Sequence, residues 1–261
     1  MILSSIAERG ATGSMIANEI TGILTQEPRT LLQESWRDFV FAEVRSRPGL
    51  DRRSRFVISL ASAASIPGPQ RLLDNYVRGA RTLGELTLAE LREITLHLAV
   101  YASWSIAENL DEAISRVAEG LSLDQDAFPH IRASDWDADA RTAEGKARFQ
   151  SVMKFGGPPP TTPYFSAGIL NFVFGEIWCR PGLDQRARRW ITLVGVADSC
   201  ARVPIGSHFH SAMTSGDCQP DELQEFVLQY AIHAGWPKAS VIQGVVLEMI
   251  RKFEAGAPWD S

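Results

Sequence analysis

The sequence has few cysteines, no long apolar run and no excess of basic residues. Its 261 residues include three cysteines, at positions 179, 200 and 218, and none of them forms a Cys-x-x-Cys pair. An odd and widely spaced set argues against a disulfide framework and favours a reducing cytoplasm as the location. No apolar stretch approaches the length of about 18 residues that a membrane span needs, and the N-terminal residues lack the pattern of a secretory signal.

The charge balance is acidic, with a formal net charge of −5 at pH 7. This balance disfavours nucleic acid and anionic membranes as partners, because binding to phosphate groups needs a basic surface. Hydrophobic residues make up 45% of the chain, which is ordinary for a globular protein of one or two domains. The composition therefore argues against a protein whose main partner is nucleic acid or a membrane.

The chain contains an internal repeat. Residues 39–60, FVFAEVRSRPGLDRRSRFVISL, align with residues 172–193, FVFGEIWCRPGLDQRARRWITL, and 13 of these 22 positions are identical. Random pairing would give about one or two identities. The match resumes after a one-residue slip, at an offset of 132. It divides the chain into an N-terminal arm at 1–29, a first repeat at 30–120, a linker at 121–163 and a second repeat at 164–261.

Both repeats are predicted to be helical. Thr87 and Glu90 have the spacing of a capping box, and apolar residues follow them at helical intervals. Pro220 and Glu222 begin the corresponding helix of the second repeat. No segment alternates apolar and polar residues as a strand does, so the predicted fold class is all-α. Further helices are predicted at 51–65, 69–83, 105–119, 134–154, 184–199, 203–215 and 238–254.

Three motifs carry a resemblance to a known family. FGEIWCRPGLDQRARRWITL, SHFHSAMTSGDCQPDELQE and YAIHAGWPKA occur in this order, and the first repeat holds related segments in the same order. The sequence resembles the carboxymuconolactone decarboxylase family, a branch of the alkylhydroperoxidase D-like superfamily, twice over nearly its whole length. The resemblance implies two tandem helical domains of that type and a homo-oligomer, as a trimer of two-domain chains or a multiple. It also implies decarboxylation of a small unsaturated carboxylated ring or lactone compound without a cofactor.

The peroxidase branch of the superfamily uses a Cys-x-x-Cys-x-x-x-His motif, and this chain lacks it. When His208 is placed at the histidine of that motif, Ala201 and Pro204 stand at the two cysteine positions. Thiol peroxidase chemistry needs a reactive thiolate and a resolving thiol. The sequence therefore argues against a thiol peroxidase.

Histidines of the second repeat are the main candidates for catalysis. His208 matches the family's histidine, and His233 lies in the HAGWP turn. An imidazole titrates near neutral pH and can donate a proton to the carbon that loses CO2. Glu176 lies in an apolar segment, where it either orients a histidine or pairs with Arg180. The predicted catalytic residues are His208, His233 and Glu176.

The predicted substrate-binding residues are Arg189, Trp178, Tyr230, Trp236 and His210. Arg189 is placed to hold a substrate carboxylate or, alternatively, to begin a helix. The aromatic residues would line a pocket or belong to the core. His210 follows His208 by two residues and points about 200° away on a helix, which argues against a shared metal site and favours an ion pair or a subunit contact. No metal or other cofactor is expected.

The first repeat has Tyr76 and Tyr101 where the second has His208 and His233. We therefore expect the second repeat to carry the chemistry and the first to complete the assembly. Two alternatives stay open on the same scaffold. One is a non-redox isomerase, cyclase or hydrolase, and the other is a non-catalytic assembly or binding module.

Overall fold

The computed structural model describes residues 5–124, 130–131, 135 and 137–261. Within these ranges the chain forms helices, turns and irregular segments and contains no strand, which confirms the predicted all-α fold class. Of the helices in these ranges, none combines the length and apolar character that crossing a bilayer requires.

The helices follow each other along the chain with short connections. The α-helices are α1 (Ile6–Thr21), α2 (Leu31–Ser35), α3 (Arg52–Ala64), α4 (Gln70–Thr82), α5 (Leu88–Tyr101), α6 (Trp104–Gly120), α7 (Ala138–Met153), α8 (Gln185–Ser199), α9 (Arg202–Thr214), α10 (Pro220–Ala234) and α11 (Trp236–Glu254). Two π-helices span Trp36–Arg45 and Tyr164–Phe174, and a 3₁₀ turn spans Ile177–Cys179.

Side chains at the N-termini fix where the central helices begin. The Asp51 and Asp184 carboxylates accept hydrogen bonds from the backbone N–H of the third residue beyond, which starts α3 and α8. The predicted capping box of α5 is confirmed, since the Glu90 amide donates to Thr87 Oγ1 at 3.1 Å and the Thr87 amide donates to Glu90 Oε2 at 2.7 Å.

The two central helices α3 and α8 pack against each other and are almost entirely buried. Helix α5 of the first repeat packs on α8, and α10 of the second repeat packs on α3. One continuous hydrophobic core, from Ala17 to Ile250, therefore runs through both repeats. A hydrogen bond of 2.9 Å from Trp190 Nε1 to Ser54 Oγ joins the two central helices inside it.

Ion pairs also cross between the repeats. The Glu93 carboxylate on α5 accepts from Arg180 Nη2 at 2.6 Å and from Arg188 Nη2 at 3.2 Å. Glu225 on α10 accepts in the same way from Arg47 and Arg55 of the first repeat. Each set joins two arginines of one RPGLDxRxR segment to a glutamate of the other repeat, so the repeats depend on each other for charge compensation.

Helices α1 and α7 each pack against a π-helix through a glycine. A Cβ atom at Gly13 would lie 2.2 Å from the carbonyl oxygen of Arg37, and a Cβ atom at Gly145 would lie 1.8 Å from that of Leu170. Any side chain at either position would therefore separate the helices. Gly13 and Gly145 are 132 residues apart, so the offset seen between the repeats also relates two helices that lie outside them.

Candidate functional site

His208 lies on α9 and is half-buried, with its ring perpendicular to that of Tyr101 at a centroid distance of 5.7 Å. Tyr101 ends α5 of the first repeat, and the Trp178 indole donates a hydrogen bond of 2.9 Å to its hydroxyl. The His97 ring, one turn earlier on α5, stacks on Tyr101 at 5.1 Å. We call His97, Tyr101, Trp178, Arg189, Thr192 and His208 the first cluster. It combines residues from both repeats.

The two imidazoles of the first cluster keep free hydrogen-bonding capacity. His97 Nε2 lies 3.0 Å from Thr192 Oγ1. The Nδ1 atoms of His97 and His208 are buried, and neither has a hydrogen-bond partner among the described residues. Buried polar atoms are normally paired, so the two unpaired imidazole nitrogens indicate a place where a water molecule or a ligand binds.

Arg189 supplies the positive charge of the first cluster. Its fully buried guanidinium donates from Nε to Asp217 Oδ2 at 3.0 Å and from Nη2 to the Val152 carbonyl oxygen at 2.8 Å, and it lies over the Trp178 ring at 5.3 Å. Its Nη1 has no hydrogen-bond partner within the described part of the chain. Two N–H groups are therefore fixed by the protein, and a third nitrogen is left for another acceptor.

Burial and the Arg189 charge keep the histidines neutral. Burial lowers the pKa of His208 to about 3, and the Arg189 guanidinium contributes to that shift. The pKa of His97 is also well below its ordinary value, because of burial and then the charges of Arg188 and Arg189. Burial raises the pKa of Tyr101. The first cluster can therefore offer neutral imidazole, a neutral phenol and one cation to a ligand, which suits anion binding and proton transfer.

His233 belongs to a different group of side chains. Its Nε2 lies 3.4 Å from the Tyr76 hydroxyl, and its ring is 6.2 Å from Trp36. Burial lowers the pKa of His233 to about 3, with a smaller effect from the Arg45 charge. We call Trp36, Arg45, Ser59, Tyr76, Gln229 and His233 the second cluster. It shares no residue with the first, so the structure does not bring the two predicted catalytic histidines together.

Glu176 contacts neither histidine. Its carboxylate accepts a hydrogen bond of 2.5 Å from Arg141 Nη1 on α7. Arg180, the alternative partner considered from the sequence, bonds to Glu93. Glu43, which aligns with Glu176, forms an ion pair with Arg9 of α1. Glu43 thus joins α1 to the first π-helix, and Glu176 joins α7 to the segment that follows the second.

Three predicted binding residues lie outside the first cluster. His210 Nε2 is 3.0 Å from the Ala257 carbonyl oxygen and fixes the C-terminal segment. The Tyr230 hydroxyl donates to Asp198 Oδ1 at 2.7 Å, and Trp236 is 56% exposed. In the part of the chain that the structure describes, no group of three histidine, cysteine or acidic residues is arranged to hold a metal ion.

His97, Tyr101 and Thr192 are members of the first cluster that the sequence did not single out as site residues. The repeat aligns Tyr101 with His233, which drew attention to the histidine and away from the tyrosine. Two cavities, of about 320 and 250 Å³, are lined by none of the predicted site residues. In the first cluster, Tyr101 and His208 are the partly exposed members, and the other four are buried.

Comparison with known proteins gives two informative relatives. The chain is 31% identical over 104 residues to a nitrosuccinic acid decarboxylase of Metarhizium robertsii, an alignment that covers 37% of this chain and 72% of that protein. It is 26% identical over 87 residues to a 4-carboxymuconolactone decarboxylase of Acinetobacter baylyi, covering 33% of this chain and 64% of that protein, just under two thirds of its length. No family model matches the sequence. The length and identity of the first alignment establish that the chain belongs to the carboxymuconolactone decarboxylase family.

Proposed function

We propose that this protein is a decarboxylase of a small carboxylic acid that carries an electron-accepting group, and that the first cluster is its active site. The observation that supports this proposal most directly is the position of the buried Arg189 guanidinium, near enough to His208 for its charge to lower the pKa of that imidazole, with one unpartnered nitrogen on each side chain among the described residues. Both relatives are named as decarboxylases. One of their named substrates contains a nitro group and the other a lactone, and both groups can accept electrons.

Arg189 is the proposed binding residue for the substrate carboxylate. Its Nη1 would donate to a carboxylate oxygen, while Asp217 and the Val152 carbonyl hold the rest of the guanidinium in place. A substrate anion beside His208 would raise the pKa of that imidazole, because a negative charge favours its protonated form. The substrate would thus bring about the protonation that the reaction needs.

The proposed reaction then needs one bond cleavage and one proton transfer. The bond between the carboxylate carbon and its neighbour breaks, CO2 leaves, and the electron pair moves into the nitro group or conjugated carbonyl. The His208 imidazolium donates its proton to carbon as the electrons return. Because His208 is partly exposed, solvent can protonate it again before the next turnover.

The substrate class is proposed as an unsaturated carboxylated ring or lactone compound, or a short nitro acid. Purified protein is incubated in D2O with 4-carboxymuconolactone and, separately, with nitrosuccinic acid. We expect CO2 to be released and one deuterium to be added to the product carbon. Mass spectrometry measures the change in mass, and NMR locates the deuterium. His208→Asn should lower turnover roughly 10²–10⁴-fold, because general acid catalysis contributes that much.

His210→Asn is the matched control, since His210 lies on the same helix but bonds to Ala257. It should retain turnover. Equal loss in both variants would contradict the role of His208. A product with the same mass as the substrate would contradict decarboxylation and indicate isomerisation or cyclisation instead.

A further inference from the structure

The second cluster contains a buried cation without a compensating charge. Arg45 is 7% exposed, and its Nη2 donates a hydrogen bond of 2.6 Å to Ser59 Oγ. Its Nε and Nη1 are buried and have no well-aligned acceptor in the described ranges. Burial raises the pKa of the neighbouring Tyr76 hydroxyl, and the charge and hydrogen bonding of Arg45 oppose that shift. None of the described carboxylates forms an ion pair with Arg45. An arginine is almost never buried in this way unless something pairs with it.

Aromatic rings hold the guanidinium of Arg45 without neutralising it. Its central carbon lies 5.0 Å from the centre of the Tyr76 ring and 6.0 Å from that of Phe56. By contrast, the buried Arg189 of the first cluster has the Asp217 carboxylate at 3.0 Å. The repeat aligns Arg45 with Trp178 and Arg189 with Phe56. Each cluster therefore has one arginine, but the two arginines occupy different positions of the repeat.

The charges around Arg45 do not compensate it. Arg55 is a neighbouring cation, and the Arg45 charge contributes to lowering the pKa of Arg55 after the larger effect of burial. The Glu225 carboxylate already pairs with Arg47 at 2.5 Å and with Arg55 at 3.4 Å. His233 is held neutral, as described above. The surroundings of Arg45 therefore carry an excess of positive charge.

We propose that the second cluster is a binding site for a small carboxylate anion, which accepts hydrogen bonds from Arg45 and from the Tyr76 hydroxyl. Arg45 offers two N–H directions, and a carboxylate can accept two such bonds. The Tyr76 hydroxyl lies 3.4 Å from His233 Nε2, so the imidazole can orient it. This proposal does not rest on the proposed activity, because the two clusters share no residue.

Ring-13C-labelled tyrosine allows the two clusters to be observed separately by NMR. The chain has four tyrosines, and the Tyr76 and Tyr101 signals are assigned with Tyr76→Phe and Tyr101→Phe. Sodium acetate then replaces sodium chloride at constant ionic strength. We expect the Tyr76 signal to shift and saturate in the wild type. In Arg45→Met the Tyr76 signal should not shift when acetate is added. The Tyr101 signal should behave in this variant as it does in the wild type.

The same variant distinguishes a binding role from a structural one. If Arg45 serves to hold an anion, then Arg45→Met removes an uncompensated charge, and its melting temperature without acetate should equal or exceed that of the wild type. Acetate should raise the melting temperature of the wild type more than that of Arg45→Met, in which only the first cluster can still bind it. A Tyr76 signal that does not move, one that moves equally in Arg45→Met, or a variant that melts lower or fails to fold would each overturn the proposal.

Discussion

Arg189 determines the charge of the first cluster, and its partner Asp217 is 9% exposed at the side chain. Sequence reasoning left open whether this arginine begins a helix or binds an anion. Its position inside the helix, fully buried and beside His208, favours the second role. Asp217 holds the buried arginine in place, and one arginine nitrogen has no partner within the described chain. That nitrogen can donate to a bound anion.

Removal of Arg189 should reduce both stability and activity, and a second substitution separates the two effects. Arg189→Met leaves the Asp217 carboxylate buried without its cation, which should cost about 3 kcal/mol of unfolding free energy. Arg189→Met with Asp217→Asn should recover much of that stability, because the unpaired charge is gone. Urea unfolding measures this recovery. Turnover should stay low in both variants, and its return in the double variant would contradict the carboxylate-binding role.

The residues of the candidate site were only partly predictable from the sequence. Motif position led to His208, Trp178 and Arg189, and the structure brings these three into one cluster. Motif position could not reveal that Tyr101 completes the cluster from the other repeat, because this contact depends on how α5 packs on α8. His233 was grouped with His208 since both lie in the second repeat, whereas α10 carries His233 to Tyr76 of the first.

At the scale of elements, hydrophobic spacing and caps predicted the α-helices from α3 onward closely, whereas α1 and α2 were not predicted. The expected helix at 51–65 is α3 (Arg52–Ala64), and that expected at 184–199 is α8 (Gln185–Ser199). No helix was predicted in the two segments that form π-helices, and apolar spacing does not by itself reveal a π-type hydrogen-bond pattern. The start of the expected helix at 134–154 lies in part outside the described residues, and the described part is α7.

The contact of α7 with the second π-helix should depend on Gly145. Gly145→Ala places a methyl group 1.8 Å from the Leu170 carbonyl oxygen in the present geometry, so the helices must move apart. We expect a loss of about 1–3 kcal/mol in unfolding free energy, measured by urea titration.

Gly244→Ala is the matched control, because a Cβ atom there has no neighbour within 4 Å and the residue lies inside α11. It should stabilise the protein by about 0.5–1 kcal/mol, since alanine favours a helix over glycine. An equal change in the unfolding free energy of the two variants would contradict this prediction. It would show that α7 and the second π-helix can move apart without loss of stability.

For the whole molecule, neutral buried histidines predict sensitivity to mild acid. The pKa values of His208 and His233 are about 3 in the folded protein and near 6.5 when unfolded, and that of His97 is also lowered. Between these values the unfolded state binds protons that the folded state does not. The free energy of unfolding is therefore unaffected by these histidines above about pH 6.5. It falls as the pH drops towards 3, by up to about 1.4 kcal/mol per pH unit for each histidine.

Urea unfolding between about pH 7 and pH 5 measures this effect above the range in which carboxylates titrate. His233→Asn should reduce the slope of unfolding free energy against pH. His130→Asn, at an exposed position, should leave it unchanged. A free energy that stays constant over this range would contradict the neutral burial of the three imidazoles.

In the first cluster a histidine of α9 faces a tyrosine of α5, and in the second a tyrosine of α4 faces a histidine of α10. Two identical chains related by a two-fold axis must present the same residues at both junctions. A single polypeptide that supplies both sides of each junction has no such constraint. Substitutions at one junction need not be mirrored at the other, so the two can specialise in different chemistry, a division of labour that a symmetric homodimer cannot adopt.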